Sequence, residues 1–191
     1  MKGRFQKKYS ILIISSVTLL FGTLAFLYLT NPILFWNKFS SGRAGFFFKH
    51  PSNWPVSQCS KSEVYQFEGR IEQIDFADDC CPNARNDSFG YIIVERINPA
   101  TTHDIYLKEN YSNWDYKMTQ IGKKTAYILT PKPKDLKEAG AFTTTTNIYL
   151  IIKPPLIYTI GVTNPNYGFK NDKNENLFTF EKILSTFEIT N

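Results

Sequence analysis

Three cysteines, Cys59, Cys80 and Cys81, are the residues whose types and spacing most suggest chemistry. In an oxidising compartment, a bond from Cys59 to Cys80 or Cys81 would close a loop of about 22 residues and contribute about 3 kcal/mol of stability. A bond between Cys80 and Cys81 would be a strained vicinal bridge. No CxxC motif or Cys/His zinc pattern is present. We expect one structural disulfide from Cys59, in preference to unpaired thiols or a metal or redox site.

Acidic residues surround these cysteines, namely Asp75, Asp78, Asp79 and Asp87. Calcium loops place oxygen ligands at alternate positions and use a glycine for the turn. The intervening residues 80–86 read CCPNARN, which does not fit that spacing. We therefore expect a plain polar loop, and we expect the protein to bind no metal or cofactor.

Catalytic motifs are missing from the sequence. It has two histidines, His50 before a proline and His103 in the first turn of a predicted helix. It contains no HExxH, no GxSxG and no glycine-rich phosphate loop. Trp54 and Trp114 are interpreted as core or rim packing and not as a ligand box. The sequence thus predicts a protein without catalytic residues, although distant residues could still assemble a site.

The net charge of +5 and the pI near 9.0 could suggest a nucleic-acid partner. Six basic residues and no acidic residue precede residue 44, whereas sixteen basic and seventeen acidic residues follow from there. The six are Lys2, Arg4, Lys7, Lys8, Lys38 and Arg43. No Lys/Arg run or basic-aromatic stripe remains to bind nucleic acid. We assign the basicity to the N-terminal tail and expect no nucleic-acid partner.

Residues 11–29 form an apolar stretch without any charge, Asn, Gln, His or Pro. Nineteen helical residues span roughly 28 Å, close to the hydrocarbon thickness of a bilayer. Four basic residues precede the stretch and two follow it within fifteen residues. This asymmetry favours a cytoplasmic N-terminus and a translocated C-terminal domain.

A cleaved signal peptide would have a shorter apolar core with a small-residue site directly after it. The nearest such site, residues 42–44, is far from the stretch, and a lipoprotein signal would need a cysteine much earlier than Cys59. We predict an uncleaved single-pass anchor in the cell membrane. Residues 1–10 would be a cytoplasmic tail, 30–43 a juxtamembrane connector and 44–191 one extracytoplasmic domain.

Short apolar runs separated by turn residues predict strands in that domain. They cover residues 46–49, 54–56, 64–71, 91–97, 114–120, 123–129, 142–152, 156–162 and 187–189. Helical periodicity predicts helices over 101–110, capped by Thr102, and over 175–185. Polar loops are expected over 75–88 and 131–140. The pattern indicates an α+β domain in which helices pack on an antiparallel sheet.

Three stretches occur in an order and spacing that resemble the PsbP-like family, named for an extrinsic subunit of photosystem II. They are FFFKHPSNW at 46–54, IGKKTAY at 121–127 and FEKILSTF at 180–187. The resemblance, closest to bacterial membrane-tethered members, spans about residues 44–190. It implies an α/β/α sandwich with a central antiparallel sheet, no enzyme activity, and docking on proteins such as photosystem II or a Ran GTPase. No binding residue carries over, because no further motif matches.

The sequence therefore predicts a membrane-tethered, extracytoplasmic, non-enzymatic domain that binds a protein or a cell-envelope component. A small-molecule or lipid carrier is the first alternative, and it would need an apolar concavity between sheet and helix. An enzyme with a non-obvious site is the second, and its signature would be a cleft that holds perturbed carboxylates or His103.

Overall fold

The computed structural model describes residues 2–59, 68–76, 89–131, 148–162 and 172–190. The chain divides into two compact units, Met1–Asn37 and Lys38–Asn191.

The first unit is dominated by helix α1, Lys2–Thr30, which a short 3-10 turn follows at Pro32–Phe35. Within α1, Ile13–Thr30 is long and apolar enough to cross a membrane, with a mean hydropathy of 1.9. Threonine hydroxyls in this segment donate to carbonyls one turn earlier, such as Thr18 to Ile14 at 2.9 Å. This back-bonding satisfies polar groups that lipid could not. The predicted apolar helix is confirmed.

The second unit contains a small sheet of three strands in the order β1-β2-β10. These strands are β1 (Asn37–Ser41), β2 (Phe46–His50) and β10 (Glu188–Ile189). Strand β10 runs antiparallel to β2, with Glu188 opposite Phe47. Strand β1 lies within the stretch 30–43 that we predicted to be a connector. Its sequence NKFSS is too short and polar to show a strand period, so only the tertiary pairing reveals it.

The large sheet has seven strands in the order β3-β4-β5-β9-β8-β7-β6, and each neighbouring pair is antiparallel. The strands are β3 (Val56–Gln58), β4 (Arg70–Phe76), β5 (Gly90–Arg96), β6 (Trp114–Ile121), β7 (Lys124–Pro131), β8 (Ile148–Lys153) and β9 (Leu156–Val162). The antiparallel sheet expected from the sequence is confirmed.

Helices cover both faces of the large sheet. Helix α2 (His103–Asn110) packs Leu107 against a cluster that includes Leu150 and Ile157. Helix α3 (Lys173–Ser185) packs Phe180 against the ring of Phe76, 5.4 Å away between centroids. Strand β9 contributes side chains to the packing on both faces of the large sheet, because successive side chains of a strand point to opposite faces. The predicted α+β class, a central antiparallel sheet between helices, is therefore confirmed.

The three stretches that resemble PsbP contact one another. The rings of Phe46 and Phe187 stack at 5.2 Å between centroids. Gly122, in the turn between β6 and β7, has φ 55° and lies against the backbone of Phe187, where a Cβ would clash with the carbonyl oxygen. Only glycine adopts this conformation readily and also permits such a close approach.

The region 75–88 was predicted to be a polar loop, but its first two residues, Asp75 and Phe76, belong to strand β4, and both are buried. Residues 77–88 lie outside the described part of the chain. Of the strand predicted over 64–71, residues 64–67 lie outside the described residues, residues 68–69 form a turn, and β4 runs from Arg70 to Phe76. The predicted end at residue 71 was wrong because two buried acids, Glu72 and Asp75, interrupt the apolar pattern of β4. Of the loop predicted over 131–140, Pro131 is the last residue of β7, and residues 132–140 lie outside the described residues.

Candidate functional site

A cavity of about 320 Å³ opens at one end of the large sheet, where the β8–β9 turn lies near the β1–β2 turn. It is lined by Arg43, Ile71, Arg96, Lys153, Pro154, Pro155, Leu156 and Tyr158. We call it the cationic pocket, because three of these side chains carry a positive charge and none carries a negative one.

The sheet register places two of the cations on either side of Leu156. Arg96, the last residue of β5, is opposite Leu156, and Lys153, the last residue of β8, is opposite the same leucine. Directly paired residues of an antiparallel ladder project from the same face, with Cβ atoms about 5 Å apart. Arg96 and Lys153 therefore flank Leu156 on one face, which is also the face of Tyr158 two residues further along β9.

The third cation, Arg43, comes from the β1–β2 turn and is fixed by a buried carboxylate. Its Nη2 lies 3.2 Å from Oε1 of Glu72, whose side chain has 0% exposure. Nη2 also donates to the carbonyl of Cys59 at 3.3 Å. Glu72 accepts two further donors, the Ser41 hydroxyl at 2.6 Å and Gln58 Nε2 at 3.2 Å. A buried carboxylate needs such partners, because an unpaired charge in the interior is strongly unfavourable.

The positive charge of the pocket is only partly compensated. Within the described residues, Arg96 and Lys153 form no ion pair, and the two ion pairs found there are Arg43–Glu72 and Arg70–Glu95. Nη1 of Arg43 is buried and has no hydrogen-bond partner among the residues that the structure describes. Clustered positive charge beside low-dielectric walls attracts an anion.

Tyr158 contributes structure to the pocket and not acid-base chemistry. It is fully buried, and its hydroxyl donates to the carbonyl of Ala44 at 2.9 Å. Burial raises the pKa of Tyr158 to about 12, so it stays protonated at neutral pH. None of the lining residues is an acid, His, Ser, Thr or Cys. The arrangement can hold an anion, but these residues lack the groups that usually act as general bases or activated nucleophiles.

Of the three cysteines, only Cys59 lies in the described part of the chain. It is buried after β3, and its Sγ is 3.6 Å from Oδ2 of Asp75. Because Cys80 and Cys81 lie outside that part, the disulfide pairing stays a prediction.

The sequence predicts no metal site among the acidic residues around the cysteines. In the residues that the structure covers, no group of three or more His, Cys, Asp or Glu could hold an ion. Asp78, Asp79 and Asp87 are outside those residues.

The two histidines are not brought together, and neither lines the cationic pocket. His50 Nδ1 lies 3.0 Å from the carbonyl of Pro51. His103 Nδ1 lies 3.0 Å from the hydroxyl of Tyr127, and the two rings meet edge-to-face. Burial, with smaller contributions from Asp104 and Tyr116, raises the pKa of Tyr127.

The tryptophans pack as expected. Trp54 is buried edge-on against Phe89, with ring centroids 5.0 Å apart. Trp114 is half-buried at the edge of the sheet beside Tyr111. These positions confirm core packing for Trp54 and rim packing for Trp114.

Sequence reasoning missed the cationic pocket. Arg43 was assigned to the basic tail, whereas it lies in the second unit, and Arg96 and Lys153 are far from it in the chain. The one local signal was a basic residue at the end of each of two strands, at Arg96 and at Lys153 before two prolines. Nothing in the spacing shows that these strand ends meet.

Comparisons with known proteins gave a structural match. No family model matches the chain. No curated protein matches it either. Among solved structures, it is similar to the solution structure of cyanobacterial PsbP (CyanoP) from Synechocystis sp. PCC 6803, with 10% sequence identity and a TM-score of 0.47. The alignment covers 80% of this chain and 91% of that one.

Proposed function

We propose that this protein is a membrane-tethered, extracytoplasmic, non-enzymatic domain whose cationic pocket binds an anionic group of a protein or cell-envelope component. The observation that carries the proposal is the placement of Arg96 and Lys153 on one face, without counter-ions among the described residues, beside an arginine fixed by Glu72. Charge-assisted hydrogen bonds from such groups contribute about 1.5–3 kcal/mol each.

The tether is supported by the apolar segment Ile13–Thr30 and by the basic residues that precede it. The excess of basic residues at the N-terminal flank favours a cytoplasmic N-terminus and an extracytoplasmic domain. A tethered domain meets membrane-bound partners at a high effective concentration, so a modest intrinsic affinity is enough for binding.

A comparison of charge variants in native membranes tests this function. The full chain is cross-linked with formaldehyde, purified through an affinity tag and compared with the variant R96Q/K153Q. The matched control is K117Q/K123Q, which removes two lysines from the exposed surface of the β6–β7 hairpin and leaves the pocket intact.

We expect cross-linked partners to fall at least about tenfold in R96Q/K153Q, which corresponds to a loss of about 1.4 kcal/mol. The control variant should retain the partners of the wild type. The same partners in the same amounts in R96Q/K153Q would contradict the proposal.

A further inference from the structure

The charge balance of the cationic pocket identifies the kind of anion that it fits. Glu72 compensates the charge of Arg43, and this leaves the charges of Arg96 and Lys153 for a ligand. A phosphate monoester carries about −1.5 to −2 charges at neutral pH and offers three strong acceptor oxygens. A carboxylate carries one charge and two oxygens, so it would leave part of the positive charge uncompensated.

The donors of the pocket also favour a ligand with several oxygens. Arg96 and Lys153 flank Leu156 on opposite sides, with Cβ atoms about 10 Å apart across two ladder steps. Arg43 also lines the pocket and adds a third cationic group, which Glu72 holds in place. A ligand with several acceptor oxygens can accept charge-assisted hydrogen bonds from more than one of these groups at once.

The rest of the lining indicates an organic part next to the phosphate. Ile71, Leu156 and the two prolines give the pocket an apolar wall. A volume of about 320 Å³ lies at the lower end of the range for organic ligands, which is roughly 300–1,000 Å³, and exceeds what a bare ion needs.

We infer that the cationic pocket binds a phosphate monoester that carries a small apolar group, held by Arg96, Lys153 and Arg43. This inference rests on the proposed function and names the chemistry of the group that is bound. The headgroup of phosphatidic acid and a soluble organic phosphate are both phosphate monoesters, and the experiment separates these two sources.

Isothermal titration calorimetry on the full chain in a neutral detergent tests the inference. The probes are glycerol 3-phosphate, dihexanoyl phosphatidic acid, dihexanoyl phosphatidylcholine as the neutral-headgroup lipid, and butyrate as a monocarboxylate. The proteins are the wild type, R96Q/K153Q and the control K117Q/K123Q. Near-ultraviolet circular dichroism checks the fold of each variant, and the single variant K153Q replaces the double variant if the latter does not fold.

We expect both phosphate monoesters to bind the wild type and the control saturably. We expect binding at least about tenfold weaker in R96Q/K153Q and at least about threefold weaker in K153Q. Tighter binding of phosphatidic acid than of glycerol 3-phosphate identifies a lipid source, and equal binding identifies a soluble one.

The inference is overturned if neither monoester binds, if phosphatidylcholine binds as tightly as phosphatidic acid, or if removal of the pocket cations leaves phosphate binding unchanged. Butyrate binding without phosphate binding also overturns it. Partners that still depend on Arg96 and Lys153 in the cross-linking experiment would then leave the proposed function standing.

Discussion

Glu72 connects the core of the domain to the cationic pocket. Its side chain is fully buried, and it receives Arg43, Ser41 and Gln58 as donors. A buried ion pair contributes little more to folding stability than a well-packed apolar pair in the same place would. The loss of one partner, however, leaves an uncompensated buried charge, which is strongly destabilising. The carboxylate therefore positions the arginine, and its removal should disturb both stability and the pocket.

For the substitution Glu72→Ala, we expect the free energy of unfolding to fall by about 3–5 kcal/mol, because Arg43 loses its counter-ion. The matched control is Glu95→Ala, which breaks the partly exposed ion pair with Arg70. Because Glu95 is 31% exposed and Arg70 keeps its hydrogen bond to Gln73, we expect a smaller loss than for Glu72→Ala. Urea unfolding of the full chain, followed by tryptophan fluorescence, measures both, and equal losses would show that Glu72 has no special role.

Tyr158 makes stability depend on pH in the alkaline range. Burial raises its pKa from 10.0 to about 12, so the unfolded chain releases this proton before the folded protein does. The full contribution to stability is present below pH 10 and is lost as the pH rises from 10 to about 12, by about 1.4 kcal/mol per pH unit.

Tyr158→Phe should therefore flatten the decline of the unfolding free energy between pH 10 and 12. It should also lower stability at pH 7 by about 1 kcal/mol, because the hydrogen bond to the carbonyl of Ala44 is lost. Denaturant unfolding at a series of pH values measures the slope. A decline as steep in the variant as in the wild type would refute the assignment to Tyr158.

At the scale of elements, hydrophobic periodicity predicted the helices and strands whose pattern is dominated by apolar residues. The β8–β9 hairpin, helix α2 with its Thr102 cap and helix α3 all form where the patterns indicate them. The end of strand β4 was misplaced, because its buried acids Glu72 and Asp75 interrupt the alternation of apolar residues. Strand β1 was missed, because its short polar sequence shows no strand period and only its pairing with β2 defines it. The pocket was missed because it arises from strand ends that only the sheet register brings together.

The turn between β6 and β7 is sensitive to substitution at Gly122. Gly122→Ala would force a left-handed conformation on a residue with a Cβ and would clash with the backbone of Phe187. We expect a loss of about 2–4 kcal/mol in the free energy of unfolding, from the combined conformational and steric effects.

The control for that turn is Gly42→Ala, where a Cβ would meet nothing within 4 Å. We expect this change to stay within about 0.5 kcal/mol of the wild type. Thermal unfolding of both variants measures the difference. A Gly122→Ala variant as stable as Gly42→Ala would mean that the turn can move away from Phe187.

At the scale of the whole molecule, two surfaces of the second unit could meet a partner. One is the cationic pocket. The other is strand β6, where Tyr116 and Met118 are 54% and 65% exposed. Exposed apolar side chains on an edge strand are a common docking surface. We place binding at the pocket, because an uncompensated charge cluster is specific for an anion, whereas single exposed apolar residues are common on any protein.

The most direct test of the central claim is site-specific photo-crosslinking in native membranes. A photoreactive benzoyl-phenylalanine is placed at Leu156, inside the cationic pocket, or at Tyr116 on β6, in the otherwise unchanged full chain. We predict a cross-linked partner from position 156 that disappears when R96Q/K153Q is added, and none from position 116. Cross-linking from position 116 alone, or from position 156 regardless of Arg96 and Lys153, would contradict anion recognition by the cationic pocket.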